Sequence, residues 1–211
     1  SRAGNRHHQP LSQEQSEMAN LPAYFGFMQD SGNGSVPTYE QVVRQAQYNA
    51  AAIFRGDPVT SQADGTIAIS APGTTQIAGI FQGCKYLSVS MQRTVWNQYW
   101  PGSDVASGQY PEMYIVNDPN ARFLAQADDT GLTLADVNAN VQFAIGTGNA
   151  YTKQSGAYID SVGPATATLP FRVIEIVTTP VLSFSNPEAG PYAVAIVGFN
   201  NVDTKSLTGI A

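Results

Sequence analysis

Residues 85–91 read KYLSVSM. Tyr86, Ser88 and Ser90 fall on one side of an extended chain, and Leu87, Val89 and Met91 on the other. Strict alternation over seven residues is the signature of a β-strand. The same texture extends outward in both directions. Upstream, 52–59 (AIFRGDPV), 66–70 (TIAIS) and 76–82 (QIAGIFQ) read as strands. Asp64-Gly65 marks the tight end of a hairpin loop between the first two. Downstream, 112–116, 121–127, 141–145, 157–160, 169–177 and 192–197 follow the pattern. The stretch 192–197 is almost continuously apolar, which predicts a strand covered on both faces. Residues 38–47 (TYEQVVRQAQ) suit either helix or strand. One helical turn is expected at 134–137, with Thr133 as N-cap and Asp136 three residues on.

Composition agrees. Val, Ile and Thr together number 45 against 9 Leu, and Gly plus Pro number 32 of 211 residues. β-Branched residues with frequent turn formers specify many short strands and exclude a helical bundle. The fold expected is all-β: a single antiparallel β-barrel or β-sandwich with an extended N-terminal arm and a C-terminal tail. The organisation expected is an arm over 1–48, a barrel or sandwich over 49–198 and a tail over 199–211. Loops are expected at 101–110 and 146–156.

Charge narrows the function. The formal net charge is −6, and only 12% of residues are charged. A nucleic-acid binder needs a basic face to neutralise phosphates, so no nucleic-acid partner is expected. No apolar run reaches the length of a membrane-spanning helix, so no membrane is expected either. Residues 1–17 lack the apolar stretch of a signal peptide. Asn33-Gly34-Ser35 matches a glycosylation sequon but reads as a turn.

Catalytic chemistry finds little footing. The two histidines, His7 and His8, sit in the polar arm, so a nucleophile–His arrangement has no positioned base. Cys84, the single cysteine, reads as a small core thiol. Asp128-Asp129-Thr-Gly is turn chemistry rather than the alternating ligands of a calcium loop. Gly146-Thr-Gly148-Asn lacks the third glycine and the lysine of a phosphate loop. Asp57, Glu112, Asp118, Asp128 and Glu175 are candidates for a glycosidase pair, but they fall mostly in turns. No catalytic residue, metal or cofactor is assigned, and the protein is not expected to be an enzyme.

Two stretches invite a partner. Residues 21–28 (LPAYFGFM) form an apolar island between a polar arm and a flexible turn. Leu21, Tyr24, Phe25, Phe27 and Met28 must be covered, either by the chain's own body or by a neighbouring subunit. We read them as an arm that grips a neighbour, which predicts that a chain lacking residues 1–30 keeps its fold. Residues 95–102 (VWNQYWPG) hold both tryptophans. On one continuous strand Trp96 and Trp100 share a face, and they read as anchors of the body or of an intersubunit contact. The alternative is a carbohydrate-binding platform built from Trp96, Tyr99 and Trp100, and a third reading is a tail or spike polysaccharide hydrolase.

Several segments together resemble the decoration (cement) proteins of tailed-bacteriophage capsids. They are MANLPAYFGF at 18–27, FRGDPV at 54–59, IAGIFQG at 77–83, YWPG at 99–102, NDPNARF at 117–123 and LADV at 134–137. The resemblance spans roughly residues 18–177. Met18 stands where such proteins usually start, so 1–17 reads as an extension. The resemblance implies a structural virion protein on the exterior of the capsid. It implies the major capsid protein as partner, self-association into an oligomer or with lattice neighbours, and no catalytic role.

Overall fold

The computed structural model describes residues 21–31, 41–48, 50–160, 167–177 and 189–205. The His7–His8 pair, the sequon at Asn33, most of the expected arm and residues 206–211 of the expected tail lie outside these residues. Within these described residues fourteen strands follow in chain order: β1 (Met28–Ser31), β2 (Gln41–Gln45), β3 (Ile53–Phe54), β4 (Pro58–Ser61), β5 (Ile67–Ile69), β6 (Gly79–Ser88) and β7 (Arg93–Asn97). Then come β8 (Tyr99–Trp100), β9 (Glu112–Val116), β10 (Arg122–Gln126), β11 (Asn140–Ala144), β12 (Tyr158–Asp160), β13 (Phe171–Ile176) and β14 (Val194–Phe199). Among the described residues one 3-10 turn, Leu134–Asp136, interrupts them. There the Asp136 carboxylate accepts bonds from the backbone N–H and the hydroxyl of Thr133, at 2.7 and 2.8 Å.

The chain is all-β, with antiparallel ladders throughout. Sheet A runs β1-β10-β14-β13-β11-β12, and sheet B runs β2-β9-β6-β4-β5, with β7 also on β6. A two-stranded ribbon, β3-β8, completes the fold. Sheet A curls until Ile159 of β12 meets Ala127, just beyond β10, through one parallel bridge. One bridge does not close a barrel, so the architecture is that of a β-sandwich.

Two apolar cores result. The first fills the concave side of sheet A with Phe123, Phe143, Phe171, Val173 and Val197, capped by Ile80 and Val116 from sheet B. The second lies on the other face of sheet B, where Phe81, Cys84, Met113 and Ile115 pack with Ile53 and Trp100 of the ribbon. Strands β6 and β9 therefore serve both cores. A bulge between Phe81 and Gly83 puts Phe81 and Cys84, three residues apart, on the same side of β6, so both face the second core. That bulge also joins the two strands expected at 76–82 and 85–91 into the single long β6.

Three expectations are corrected by the packing. Division into arm, body and tail does not follow the strands, since β1 pairs with β10 and β2 with β9 inside the sandwich. At the other end Val202 is fully buried, and Asp203 accepts hydrogen bonds from Ser61 and Gln76 at 2.5 and 2.9 Å. Finally, β14 is not covered on both faces: Ala195 and Val197 are buried, whereas Val194 and Ile196 are only half so.

Candidate interaction face

Ladder register decides which side chains share a surface. Lys85 of β6 sits opposite Trp96 of β7 and Glu112 of β9, while Tyr114 sits opposite Gly83 and Val43. Directly paired residues point the same way. These side chains therefore line the face of sheet B opposite Cys84, Met113 and the second core. At one end of this face Ile80 and Val116 are buried under sheet A. At the other end nothing among the described residues covers it: Trp96 is 67% exposed, Val43 52% and Leu87 47%.

The exposed end is organised. Trp96 stacks on Tyr114 with ring centroids 5.5 Å apart and planes 16° from parallel. Gly83 carries no side chain on this face, so the indole can reach across β6. Lys85 lies 5.4 Å from the Trp96 ring centroid and bonds Glu112 at 3.1 Å. Burial, then the nearby Glu112 charge, raises the Tyr114 phenol above its usual range. The surface is thus a pre-set aromatic pair with its charges already neutralised, the form that large binding anchors take.

The two tryptophans do not share a face. The chain bends at Gln98, β7 stays on β6, and β8 leaves to pair with β3. Trp100 is fully buried, edge-on to Tyr86 at 5.1 Å, and its place as a partner contact is corrected. Tyr99 stacks on Phe54 at 4.6 Å, inside the ribbon. Tyr114, Val43 and Leu87 were the missed members of the face. Alternation in EMYIV at 112–116 is the signal that could have placed Tyr114 opposite Met113.

The apolar island at 21–28 is likewise split. Phe27 is fully buried and stacks on Phe171 at 4.4 Å, so its expected role as a subunit contact is corrected. Tyr24 stacks on Tyr158 at 4.3 Å, and Phe25 is half-buried. Met28 is half-buried beside Leu124 on the convex face of sheet A, and Leu21 is 75% exposed. The buried Gln126 side chain holds the incoming backbone, accepting from the Ala23 N–H at 2.8 Å and donating to the Leu21 carbonyl at 2.9 Å.

The segment is pinned further on by a close approach. Gly26 (φ +73°) and Gly56 (φ +95°) lie back to back, and a Cβ on Gly26 would come within 2.6 Å of the Ser155 Cβ. Beneath them the buried Asp57 carboxylate accepts a hydrogen bond from the Ser155 hydroxyl and another from the Phe54 N–H at 2.7 Å. Burial raises this carboxyl from its ordinary 3.8 to about 6, against the opposing pull of those two bonds.

The remaining candidate acids serve local structure. The Asp118 carboxylate accepts from the Asn120 N–H at 2.9 Å and that of Asp128 from the Gly131 N–H at 3.1 Å, both within turns. Glu112 holds Lys85, and Glu175 lies on the convex face of sheet A. Cys84 is buried, as expected for a core thiol; burial pushes it up to about 12 against a weaker opposing effect of Lys153. Among the described residues no three His, Cys, Asp or Glu side chains converge as a metal cluster would require.

No protein-family model, curated protein or solved structure matches the chain.

Proposed function

We propose that this chain is a structural virion protein that binds the outer surface of a tailed-phage head, bridges major capsid subunits and stabilises the shell. One observation carries the reading: a stacked Trp96–Tyr114 pair stands exposed on a rigid sheet, flanked by Val43 and Leu87. Exposed aromatic clusters of this kind mark protein contacts, because they bury a large area at little loss of side-chain freedom. The resemblance over residues 18–177 supplies the partner class, the major capsid protein. Repetition over a symmetric lattice lets modest single contacts sum to firm attachment. The acidic balance of the chain suits a capsid exterior better than contact with packaged DNA.

The carbohydrate-binding alternative keeps one supporting observation, the exposed Trp96 ring. Its platform is reduced, however, since Trp100 is buried and Tyr99 is stacked on Phe54. Adding the purified chain to heads that lack it separates the two readings. The proposal expects the chain to sediment with the heads and raise their resistance to heating, and Trp96→Ala to lose both effects. Attachment abolished by soluble host glycan, with no effect on head stability, would favour the alternative.

A further inference from the structure

The convex face of sheet A carries a second pattern, independent of the Trp96 face. One row across the strands holds Arg122 of β10, Gly198 of β14 and Arg172 of β13. The neighbouring row holds Met28 of β1, Leu124, Ile196 and Glu175. Inward positions alternate with these, so the side chains of both rows face out: Arg122, Arg172 and Glu175 are exposed, and Met28, Leu124 and Ile196 are half-buried. The bulged Ile174 leans over Gly198, where its Cδ1 would lie 2.9 Å from an added Cβ, and fills the gap between the arginines. The result is an apolar stripe that itself ends in a carboxylate, with a cationic row along one side. Arg172 and Glu175 share a strand and a face, yet the one ion pair among the described residues is Lys85–Glu112.

We propose that this face pairs with the same face of a second copy of the chain. Arg172 and Glu175 make the face complementary in charge to itself. A two-fold axis lying between two facing copies, and running across the strands between the two rows, exchanges one row for the other. It sets Arg172 of each copy against Glu175 of the other, giving two reciprocal ion pairs at the β13 end, and lays each copy's Leu124–Ile196 stripe on the Arg122–Gly198 row of the other. An isologous contact requires that self-complementarity, each residue meeting the counterpart that its own counterpart meets. The rows lie about 7 Å apart, two residues along a strand, so only a small offset between copies is needed. None of these residues belongs to the Trp96 face, so a dimer presents two such faces and gains the bivalence that bridging demands.

Sedimentation velocity on the full chain, across micromolar concentrations and at low and high salt, tests this. The expected result is a concentration-dependent dimer that weakens with salt. Arg172→Glu and Glu175→Arg alone each place like charges together and should weaken dimerisation about 10–100-fold. The double exchange R172E/E175R restores opposite charges across the axis and should recover the dimer. Circular dichroism on each variant checks that the exposed substitutions leave the fold intact. A monomer at every concentration, a dimer indifferent to the single reversals, or an exchange variant that fails to recover would each overturn the proposal. Head attachment by a strictly monomeric chain would overturn it while leaving the functional reading in place.

Discussion

Ser155 donates its hydroxyl to the carboxylate of Asp57, joining two turns 98 positions apart beneath the backbone of Gly26 and Phe27. Ser155 in turn accepts from the Ala157 N–H at 2.8 Å, and Ala157 accepts from the Gly26 N–H at 3.2 Å. Removing the hydroxyl leaves a buried carboxylate short of one donor. Ser155→Ala should therefore lower the unfolding free energy by about 1–3 kcal/mol, read from urea midpoints. An unchanged midpoint would mean that the carboxylate finds another donor.

The same carboxyl sets a pH dependence. Its folded value, about 6, lies above the ordinary 3.8, so the folded state holds the proton more tightly than the unfolded state. Stability from this group is fully present below pH 3.8 and is lost as pH rises through 6. The two-unit shift corresponds to at most about 3 kcal/mol. Asp64 runs the opposite way: hydrogen bonds from Thr66 and Gln47 lower it to about 2, so its contribution is lost only as pH falls through that value. Urea midpoints should rise from pH 7.5 to 4.5, and Asp57→Asn should flatten that slope.

The two tryptophans should behave as opposites. Trp100→Ala opens a cavity in the second core and should cost about 3–5 kcal/mol. Trp96→Ala should cost under about 1 kcal/mol, in keeping with an exposed site. In fluorescence, acrylamide should quench the Trp96 emission and leave that of Trp100 largely protected, so the Trp96→Ala variant should be the less quenchable.

Phe27 fills the first core, so removing residues 1–30 should unfold or severely destabilise the chain, contrary to what the sequence suggests. Phe27→Ala alone should cost about 3–5 kcal/mol in urea denaturation. Retention of a native melting transition after that deletion would return the segment to the role of a detachable arm.

Where the sequence is periodic, it is legible. The strand expected at 112–116 coincides with β9, the hairpin at Asp64-Gly65 joins β4 to β5, and the Thr133–Asp136 turn forms. What periodicity cannot carry is which side of a strand meets the core. In 85–91 the side with Tyr86 and Ser88 turns inward, because Tyr86 meets Trp100 and Ser88 bonds Asp104 at 2.5 Å. Leu87, Val89 and Met91 are left exposed. Long-range partners decide the other differences between sequence and structure too. Phe27 looked unattached because its cover, Phe171, lies far along the chain. The Trp96 face stayed half-hidden because Tyr114, Lys85 and Val43 come together only through the register of three ladders. Trp96 and Trp100 part company at a one-residue bend that no local signal announces.

Adhesion to a phage head is tested most directly by quantifying the chain in purified intact virions against the major shell protein, together with antibody labelling of unopened particles. A fixed ratio between the two proteins is expected, with labelling of particles that have not been broken. Recovery of the chain solely in the free fraction of the lysate, with unlabelled particles, would contradict it.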